Sequence, residues 1–538
     1  MKEHPVSSIF YVSLRLAMKK KSTISILLFY ILILVSPAAK SQAISSRQVD
    51  SLVEKVLRTF DVPGIAVAII KDGKVIHSKG YGVRSLNTKQ KMDEHTLFGI
   101  ASNSKAFTAA ALGILKDEGK LDWDDKVTDY IPGFKLYDPY VTEAFTIKDL
   151  LTHRSGLGLG AGDLMFWPDS SDFTKKDIIH NLRYLKPQSP FRTKYDYDNL
   201  LYIVAGEIIA SVSGMSWEEF IEKRILQPVG MTNSAANYNR LTDKSNVIDP
   251  HAPVNGTVRV IHRDFSETVN AAGGIYSSIA DMSKWVILQL NHGKYGEGSG
   301  KQLFSESVQE EMWSPQTIIR VNKHAPYKTH FAAYGLGWFL ADEQGYKQVS
   351  HTGGLAGIVT QVMLVPELKL GIIIFTNQQS AAAFNAISTT IRDSYYGLQQ
   401  TDRIKQFHDA VVAGDTEAKK ITETIWKDIE KQQKNTTERP DPSLYTGVYS
   451  DNWFGDVEIS TKNGSLWFTS RRSPRLRGEM LAYKGNTFIV KWNDRSMDAD
   501  AYVMFTLDAS GKAAAIKMKP ISPLTDFSFD FQDLDFKR

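Results

Sequence analysis

The sequence predicts an α+β protein, in which an antiparallel sheet flanked by helices carries an inserted helical subdomain and is followed by a separate small all-β domain. Apolar, β-branched runs typical of antiparallel strand pairs lie near both ends of residues 45–395, with mainly helical sequence between them. From Tyr445 onward, short apolar runs alternate with turn residues, as in a small β domain. Strands near both ends can share one sheet only if the chain returns, and the cleft between sheet and helices is then the natural place for a site.

Composition and charge narrow the function classes. The chain has 538 residues, of which 42% are hydrophobic and 23% are charged, as in an ordinary globular protein. Six of the 64 Lys and Arg and one of the 60 Asp and Glu lie in the first 43 residues, so the rest of the chain is nearly neutral. Bulk charge therefore gives no indication of nucleic-acid binding. The absence of cysteine excludes disulfides, thiolate nucleophiles and Cys-ligated metals.

The N-terminal segment has the pattern of an export signal. Lys19-Lys20-Lys21 is followed by an apolar run, Ile24–Val35, and then by small residues up to Ala43. Such a sequence is typical of a secretory signal peptide. The run is shorter than the roughly 20 residues that span a bilayer, and an uncleaved membrane anchor is the alternative. No later segment resembles a membrane span, so we expect a periplasmic or secreted protein without a stable span after cleavage.

The α+β region begins with an amphipathic helix, Ser46–Phe60, and a strand pair, Ile65–Ile70 and Val75–His77. Asp72-Gly73 between the two strands is a strong hairpin signal. An Ala-rich stretch, Ala106–Leu115, predicts a buried helix.

Residues 121–340 are predicted to be mainly helix and loop, and the strand pattern returns after Gly345. Ile358–Val365 and Leu370–Thr376 form the second predicted antiparallel pair, and Ala381–Tyr395 a closing helix. The helices predicted between the strand pairs include Leu201–Ser211, Trp217–Ile225 and Ile279–Leu290. The predicted divisions are a signal peptide at 1–43, the α+β domain at 44–400, a charged helical linker at 401–439 and the β domain at 440–538.

The first candidate for chemistry is Ser102-Asn103-Ser104-Lys105, at the start of the predicted buried helix. Residues three apart share a helix face, so the Lys105 amine can lie beside the Ser102 hydroxyl. A helix N-terminus favours negative charge developing on the serine. A neutral lysine, its pKa lowered by burial, could accept the serine proton. The alternative is an N-cap serine followed by a solvated lysine.

The second candidate is Tyr197-Asp198-Asn199. Alternate residues of an extended segment point to the same side, so Tyr197 and Asn199 would face one cleft. A phenol is a poor base at its ordinary pKa of about 10, but a neighbouring ammonium group can make it useful. The alternative is a tyrosine-rich loop that caps the helix from Leu200.

The third candidate is His351-Thr352-Gly353-Gly354, after the predicted strand Tyr346–Ser350. His351 and Thr352 can donate hydrogen bonds. The glycines allow a ligand to approach a backbone N–H that could stabilise an oxyanion. The alternative is a glycine-rich turn between strands.

The sequence shows no motif for a metal site, for a nucleophile elbow or for a nucleotide-binding loop. The twelve histidines show no His-Glu-x-x-His or other zinc spacing, and no Gly-x-Ser-x-Gly elbow occurs. Glycines at 156, 158, 160 and 162 follow no predicted strand and are interpreted as a loop. We predict neither a metal nor a cofactor.

Together and in this order, Ser-x-x-Lys, Tyr-x-Asn and His-Thr-Gly resemble the motifs of the serine β-lactamase and penicillin-binding-protein superfamily. The resemblance covers about residues 46–395 and is greatest to the class C β-lactamase-related serine hydrolases, which include esterases and D-aminopeptidases. It implies the β-lactamase/transpeptidase-like fold. Residues 440–538 resemble the lipocalin-like small β domain that often follows such enzymes. Further similar segments are Leu150–Leu157, Ala272–Ser277, Tyr334–Trp338 and Asp526–Phe536.

The resemblance also implies residue roles. Ser102 would be the nucleophile that forms an acyl-enzyme, and Lys105 and Tyr197 would share proton transfer, with either as the general base. Asn199 would bind the substrate amide, and the backbone N–H groups of Ser102 and Gly354 would form the oxyanion hole. The other residues expected to bind substrate are His351, Thr352 and Gly353.

One residue departs from the family pattern, because the third motif often starts with lysine in true β-lactamases and here starts with His351. Lysine supplies a permanent positive charge for a substrate carboxylate, whereas histidine is mostly neutral at pH 7. We therefore expect weak or no β-lactamase activity, and a small-molecule or peptide substrate: an ester, a small amide or a D-amino-acid peptide. The enzyme would be of esterase, D-aminopeptidase or carboxypeptidase type. The alternatives are a penicillin-binding or sensing module without turnover, and a structural cell-wall protein.

Overall fold

The computed structural model describes residues 43–264, 266–296, 298, 300–321, 326–399, 401–434 and 440–538, so the predicted signal peptide lies outside them apart from its last residue. An eight-stranded antiparallel sheet forms the centre of the first domain. Its strands, from one edge to the other, are Lys74–Gly82, Gly64–Lys71, Leu370–Thr376, Ile358–Val365, Tyr346–Leu355, Phe339–Glu343, Ala332–Tyr334 and Thr317–Ile319.

The central strands are buried on both faces. Along Gly64–Lys71, the side chains of Ile65, Val67 and Ile69 pack with the helices Ser46–Thr59 and Ala381–Tyr395. The alternate side chains pack on the opposite face, in the larger core that contains the helix Ile279–Leu290. This period of two follows from strand geometry and explains why the central strands are nearly continuous apolar runs. The α+β prediction is confirmed.

Two local expectations are wrong. Residues 121–340 were expected to be mainly helix and loop, but the three strands of one sheet edge, beyond Tyr346–Leu355, begin at Thr317, Ala332 and Phe339. Strands of three to five residues are too short to show a period in the sequence. His351–Gly354 lies inside Tyr346–Leu355 rather than after a strand, because its glycines pair in register with the neighbouring strand.

Helices fill the space between the strand pairs and cover the sheet. No single helix among the described residues is long and apolar enough to cross a membrane, although Leu200–Ser213 and Trp217–Val229, bent by 74°, reach that length and composition as a pair. The α-helices are Ser46–Thr59, Ser104–Asp117, Val127–Tyr130, Pro139–Ala144, Ile147–Leu150, Lys175–Asn181, Leu200–Ser213, Trp217–Ile221, Gln227–Val229, Asn270–Gly273, Ile279–Leu290, Glu306–Met312, Ala381–Tyr395 and Arg403–Lys434.

The C-terminal domain is a closed eight-stranded barrel. The long helix Arg403–Lys434 precedes it and packs Ile425 and Ile429 against its outer surface. Between the last two strands the chain leaves the barrel and contacts the α+β domain. The barrel strands are Gly447–Asp451, Gly455–Lys462, Ser465–Ser470, Arg477–Lys484, Thr487–Trp492, Ala501–Leu507, Ala513–Pro520 and Phe536–Lys537.

Candidate active site

Ser102 lies in a 3₁₀ turn, Ala101–Asn103, directly before the buried helix that the sequence predicts. Its position is fixed by the sheet, because the Thr360 hydroxyl donates a hydrogen bond to the Ile100 carbonyl at 2.9 Å. Ala101 has a φ of 51°, in the left-handed region that costs energy for a residue with a β-carbon. The serine is therefore presented by a strained turn that the surrounding structure holds in place.

Lys105 is fully buried next to Ser102. Its Nζ lies 3.3 Å from Ser102 Oγ, 2.7 Å from Asn199 Oδ1 and 3.0 Å from the Ala272 carbonyl oxygen. A neutral amine has two N–H donors and one lone pair. In that form, Nζ can donate to Asn199 and Ala272 and direct its lone pair at the Ser102 hydroxyl.

The electrostatic environment makes this neutral form accessible. Burial lowers the pKa of Lys105 to about 7, against the attraction of the Asp163 and Asp198 carboxyl groups, which raise it. The rings of Tyr197 and Tyr202 lie 4.8 and 5.0 Å from Nζ and favour its charged form. At neutral pH a substantial share of the amine is unprotonated and can accept a proton.

Tyr197 contacts both of these residues. Its phenol hydrogen-bonds with Ser102, and its ring lies over Lys105 Nζ. Burial raises the pKa of Tyr197 well above its usual range, and the Asp163 and Asp198 carboxyl groups raise it further. Tyr197 is thus a neutral phenol at pH 7, which can pass on a proton but is not available as a phenolate base.

Asn199 connects Lys105 to a second buried group. Its Oδ1 accepts from Lys105, and its Nδ2 donates to Asp163 Oδ2 at 2.8 Å. Asp163 is fully buried, and burial raises the pKa of its carboxyl group well above the ordinary value. Tyr197 and Asn199 thus both contact Lys105 Nζ. They are the two residues that the extended pattern of the sequence places on the same side of their segment.

His351 is almost fully buried at the cavity wall. Its Nε2 pairs with the Tyr334 hydroxyl at 2.8 Å, and its Nδ1 with the Thr352 carbonyl at 2.6 Å. Because a carbonyl only accepts, Nδ1 carries the proton and Nε2 accepts from Tyr334. Burial first, and the charge of Lys105 second, lower the pKa of His351 to about 3, so its ring is neutral at pH 7.

A cavity of about 320 Å³ opens above these groups. Ser102, Tyr197 and Asn199 line it, together with His351, Thr352 and Gly354 of the third motif. Gly353 points away from it and packs on the Ser102 turn, where a β-carbon would stand 2.3 Å from the Ile100 carbonyl oxygen. Other lining residues include Phe166, Trp167, Asp169, Tyr195, Asp264, Phe339, Asp526, Phe527 and Ser528.

Sequence reasoning missed two contributors to the site. Asp163 follows the glycine-rich loop that was interpreted only as a loop, and nothing local marks it as a partner of Asn199. Asp526–Ser528 comes from the barrel domain and forms part of the cavity wall. In the sequence, this segment stands out only by its resemblance to related proteins, and that resemblance does not predict that it lies at the cavity.

An acidic cluster lies at another side of the cavity. Asp169, His262 and Asp264 have ligand atoms within 4.8 Å of one another, the spacing of a metal site. However, the Arg475 guanidinium from the barrel forms ion pairs with both carboxyl groups. A protein cation therefore already pairs with both carboxyl groups, and the cluster is a contact between the two domains.

The antiparallel sheet with its helical subdomain, and a serine beside a buried lysine and a tyrosine, define a serine hydrolase of the β-lactamase-related type. The chain belongs to the Beta-lactamase family, whose model matches residues 49–395. Residues 431–538 match a domain of unknown function, DUF3471.

Known proteins are similar along most of the chain. Unguisins hydrolase ungD of Aspergillus violaceofuscus is 27% identical over 437 residues, which cover 76% of this chain and 75% of that protein. Protein flp of Staphylococcus aureus MRSA252 is 29% identical over 353 residues, which cover 62% of this chain and 64% of that protein. The octameric penicillin-binding protein homologue from Pyrococcus abyssi superposes with a TM-score of 0.59 at 21% identity, covering 92% of this chain and all of that one.

Proposed function

We propose that the protein is an exported serine hydrolase that acts through an acyl-enzyme on Ser102, with esters, small amides or D-amino-acid peptides as substrates. The observation that carries the proposal is the position of Ser102 Oγ, 3.3 Å from the Nζ of a fully buried lysine. Ser102 lines a cavity large enough for a small acyl group. Export rests on the basic and apolar pattern of residues 1–43.

Lys105 is the general base of acylation. Its amine is partly neutral at pH 7, whereas the Tyr197 phenol stays protonated. As Ser102 Oγ attacks the carbonyl carbon, Nζ takes the serine proton and the carbonyl oxygen becomes an oxyanion. Tyr197, in contact with both Ser102 and Lys105, passes a proton to the leaving amine or alcohol as the C–N or C–O bond breaks, and its phenol takes the serine-derived proton from Nζ in exchange.

Deacylation uses the same groups. Water loses a proton to Lys105 Nζ and attacks the acyl carbon; the bond from that carbon to Ser102 Oγ then breaks, and the serine oxygen takes the proton back from Nζ through Tyr197. The backbone N–H groups of Ser102 and Gly354 stabilise the oxyanion in both steps, since both residues line the cavity. If an amine attacked in place of water, the acyl group would be transferred to that amine. We propose that water is the nucleophile.

The charges around the cavity favour some substrates over others. Asp169, Asp264 and Asp526 line it, and none of the described lining residues is lysine or arginine. His351 stands where true β-lactamases often carry a lysine, and it is neutral. A substrate carboxylate would therefore find no cation, which disfavours β-lactams and carboxypeptidase substrates and favours neutral or amine-bearing acyl groups.

The test is the intact mass of the protein after reaction with a fluorophosphonate. We expect one adduct on the wild type and none on Ser102→Ala, with Ser155→Ala as a matched control because Ser155 is also buried and lies outside the cavity lining. Hydrolysis of p-nitrophenyl esters and D-amino-acid p-nitroanilides then ranks the substrates. A folded wild type that takes no adduct would leave a binding module without turnover as the better description.

A further inference from the structure

The segment Asp526–Asp530 of the barrel domain lies against the loop that carries Asp163. Asp530 is fully buried and accepts hydrogen bonds from the backbone N–H groups of Gly162, at 2.6 Å, and Leu164, at 3.0 Å. Both carboxylate oxygens of Asp530 thus bind the backbone on either side of Asp163. The barrel domain therefore fixes this loop from outside the α+β domain.

Ser528 of the same segment reaches the Asp163 side chain itself. Its hydroxyl donates to Asp163 Oδ2 at 2.8 Å, across a sequence separation of 365 residues. The other donor to Oδ2 is Asn199 Nδ2, also at 2.8 Å, and Asp163 Oδ1 has no partner among the described residues. The orientation of this buried carboxyl group thus depends on two donors, one from each domain.

These contacts form one chain of hydrogen bonds from the barrel to the nucleophile. Ser528 donates to Asp163, Asp163 accepts from Asn199 Nδ2, and Asn199 Oδ1 accepts from Lys105 Nζ. An amide presents donors at one end and an acceptor at the other, so the carboxyl group decides which end faces the amine. With the amide reversed, an N–H would point at Nζ, and Lys105 would lose its shortest hydrogen bond.

Resting on the proposed function, we propose that Ser528 is a positioning residue for catalysis: through Asp163 it orients Asn199, and through Asn199 it holds Lys105 Nζ beside Ser102. Phe527, next to it, packs edge-on against Tyr197 with ring centroids 5.9 Å apart. The C-terminal segment thus contributes both to the wall of the cavity and to the geometry of its basic group.

The test compares Ser528→Ala with Ser528→Thr, which keeps the hydroxyl, and with Arg472→Gln. Arg472 bonds Asp172 and Asp177 across the same pair of domains, away from the chain of hydrogen bonds. The rate of fluorophosphonate labelling should fall about 10-fold in Ser528→Ala, recover in Ser528→Thr and stay unchanged in Arg472→Gln. Equal losses in Ser528→Ala and Arg472→Gln would overturn the proposal, because domain docking alone would explain them.

A neutron crystal structure of Ser528→Ala, which distinguishes the nitrogen and oxygen of an amide, supplies a readout that does not depend on activity. We expect the Asn199 amide to turn and the distance between Lys105 Nζ and Asn199 Oδ1 to lengthen from 2.7 Å to beyond hydrogen-bonding range. Unchanged Asn199 and Lys105 side chains would overturn the positioning role. A wild type that is never labelled would count against the proposed function, and the crystal structure would still decide the orientation of Asn199.

Discussion

Gly353 packs closely against the Ile100 carbonyl, on the side away from the cavity: a β-carbon built on Gly353 would stand 2.3 Å from that oxygen and 2.5 Å from Thr360 Oγ1. The strand of the third motif therefore packs directly on the turn that presents Ser102. The first and third motifs are almost 250 residues apart in sequence. They can pack this closely because Gly353 has no side chain.

The first prediction concerns this contact. Gly353→Ala should destabilise the protein by about 1–3 kcal/mol, because the backbone carbonyl cannot move without displacing the strained turn. Gly354→Ala should leave stability nearly unchanged, because a β-carbon there would meet nothing within 4 Å. Urea unfolding of both variants measures the difference, and equal stabilities would contradict the close packing.

The second prediction concerns pH. Lys105 must lose its proton to act as a base, so the rate of fluorophosphonate labelling should rise with pH through a midpoint near the Lys105 pKa of about 7. Lys105→Arg should remove this rise and nearly all labelling, because guanidinium stays protonated at every pH used. The profile is measured from pH 5 to 9, and a flat wild-type profile over that range would show that another group is the base.

The third prediction concerns charge in the third motif. Since the pKa of His351 is about 3, its protonation should contribute no step to the activity profile between pH 5 and 8. His351→Lys would add a cation to a cavity wall without lysine or arginine among its described residues, and acylation by a fluorescent penicillin should rise about 10-fold. His351→Gln is the neutral control, and an equal rise in both variants would rule out charge as the cause.

The fourth prediction concerns the contact between the domains. Arg475→Met would leave Asp169 and Asp264 facing each other without the guanidinium that pairs with both and should cost about 3–5 kcal/mol. Burial raises the pKa of Asp264, so at low pH its neutral form relieves the repulsion. The loss of stability should thus be larger at pH 8 than at pH 5, where fewer carboxylates are charged.

Thermal unfolding at the two pH values tests this prediction. The matched control is Arg472→Met, whose ion-pair partner Asp172 is largely exposed and whose loss should cost less than about 1 kcal/mol. Arg475→Met with the same melting temperature as the wild type at pH 8 would show that the buried pairing does not stabilise the domains.

The sequence predicts those parts of the molecule that have a local cause. The Asp72-Gly73 hairpin and the amphipathic helix from Ser46 appear as the periodicity and turn residues indicate. Ser102 and Lys105 meet because they are three residues apart at a helix start. The resemblance assigns residues 46–395 to one family, and the family match over residues 49–395 confirms that assignment.

The rest of the site has no local cause. Asp163 and Ser528 bond across 365 residues, and neither lies in a pattern that a helix or strand period could reveal. The neutrality of His351 depends on burial against Tyr334 and on the charge of Lys105, which become neighbours only after folding. Long-range burial and pairing, rather than propensity, decide these features.

The contact between Ser528 and Asp163 also bears on when the enzyme becomes competent during synthesis. A nascent chain that has emerged through residue 395 already contains all three motifs, yet Asp163 then has only Asn199 as a donor. The second donor arrives only with the segment between the strands Ala513–Pro520 and Phe536–Lys537 of the barrel. A chain released before this segment would therefore carry its nucleophile and its base without the serine that we propose aligns them, and its reactivity would stay low until the barrel had folded.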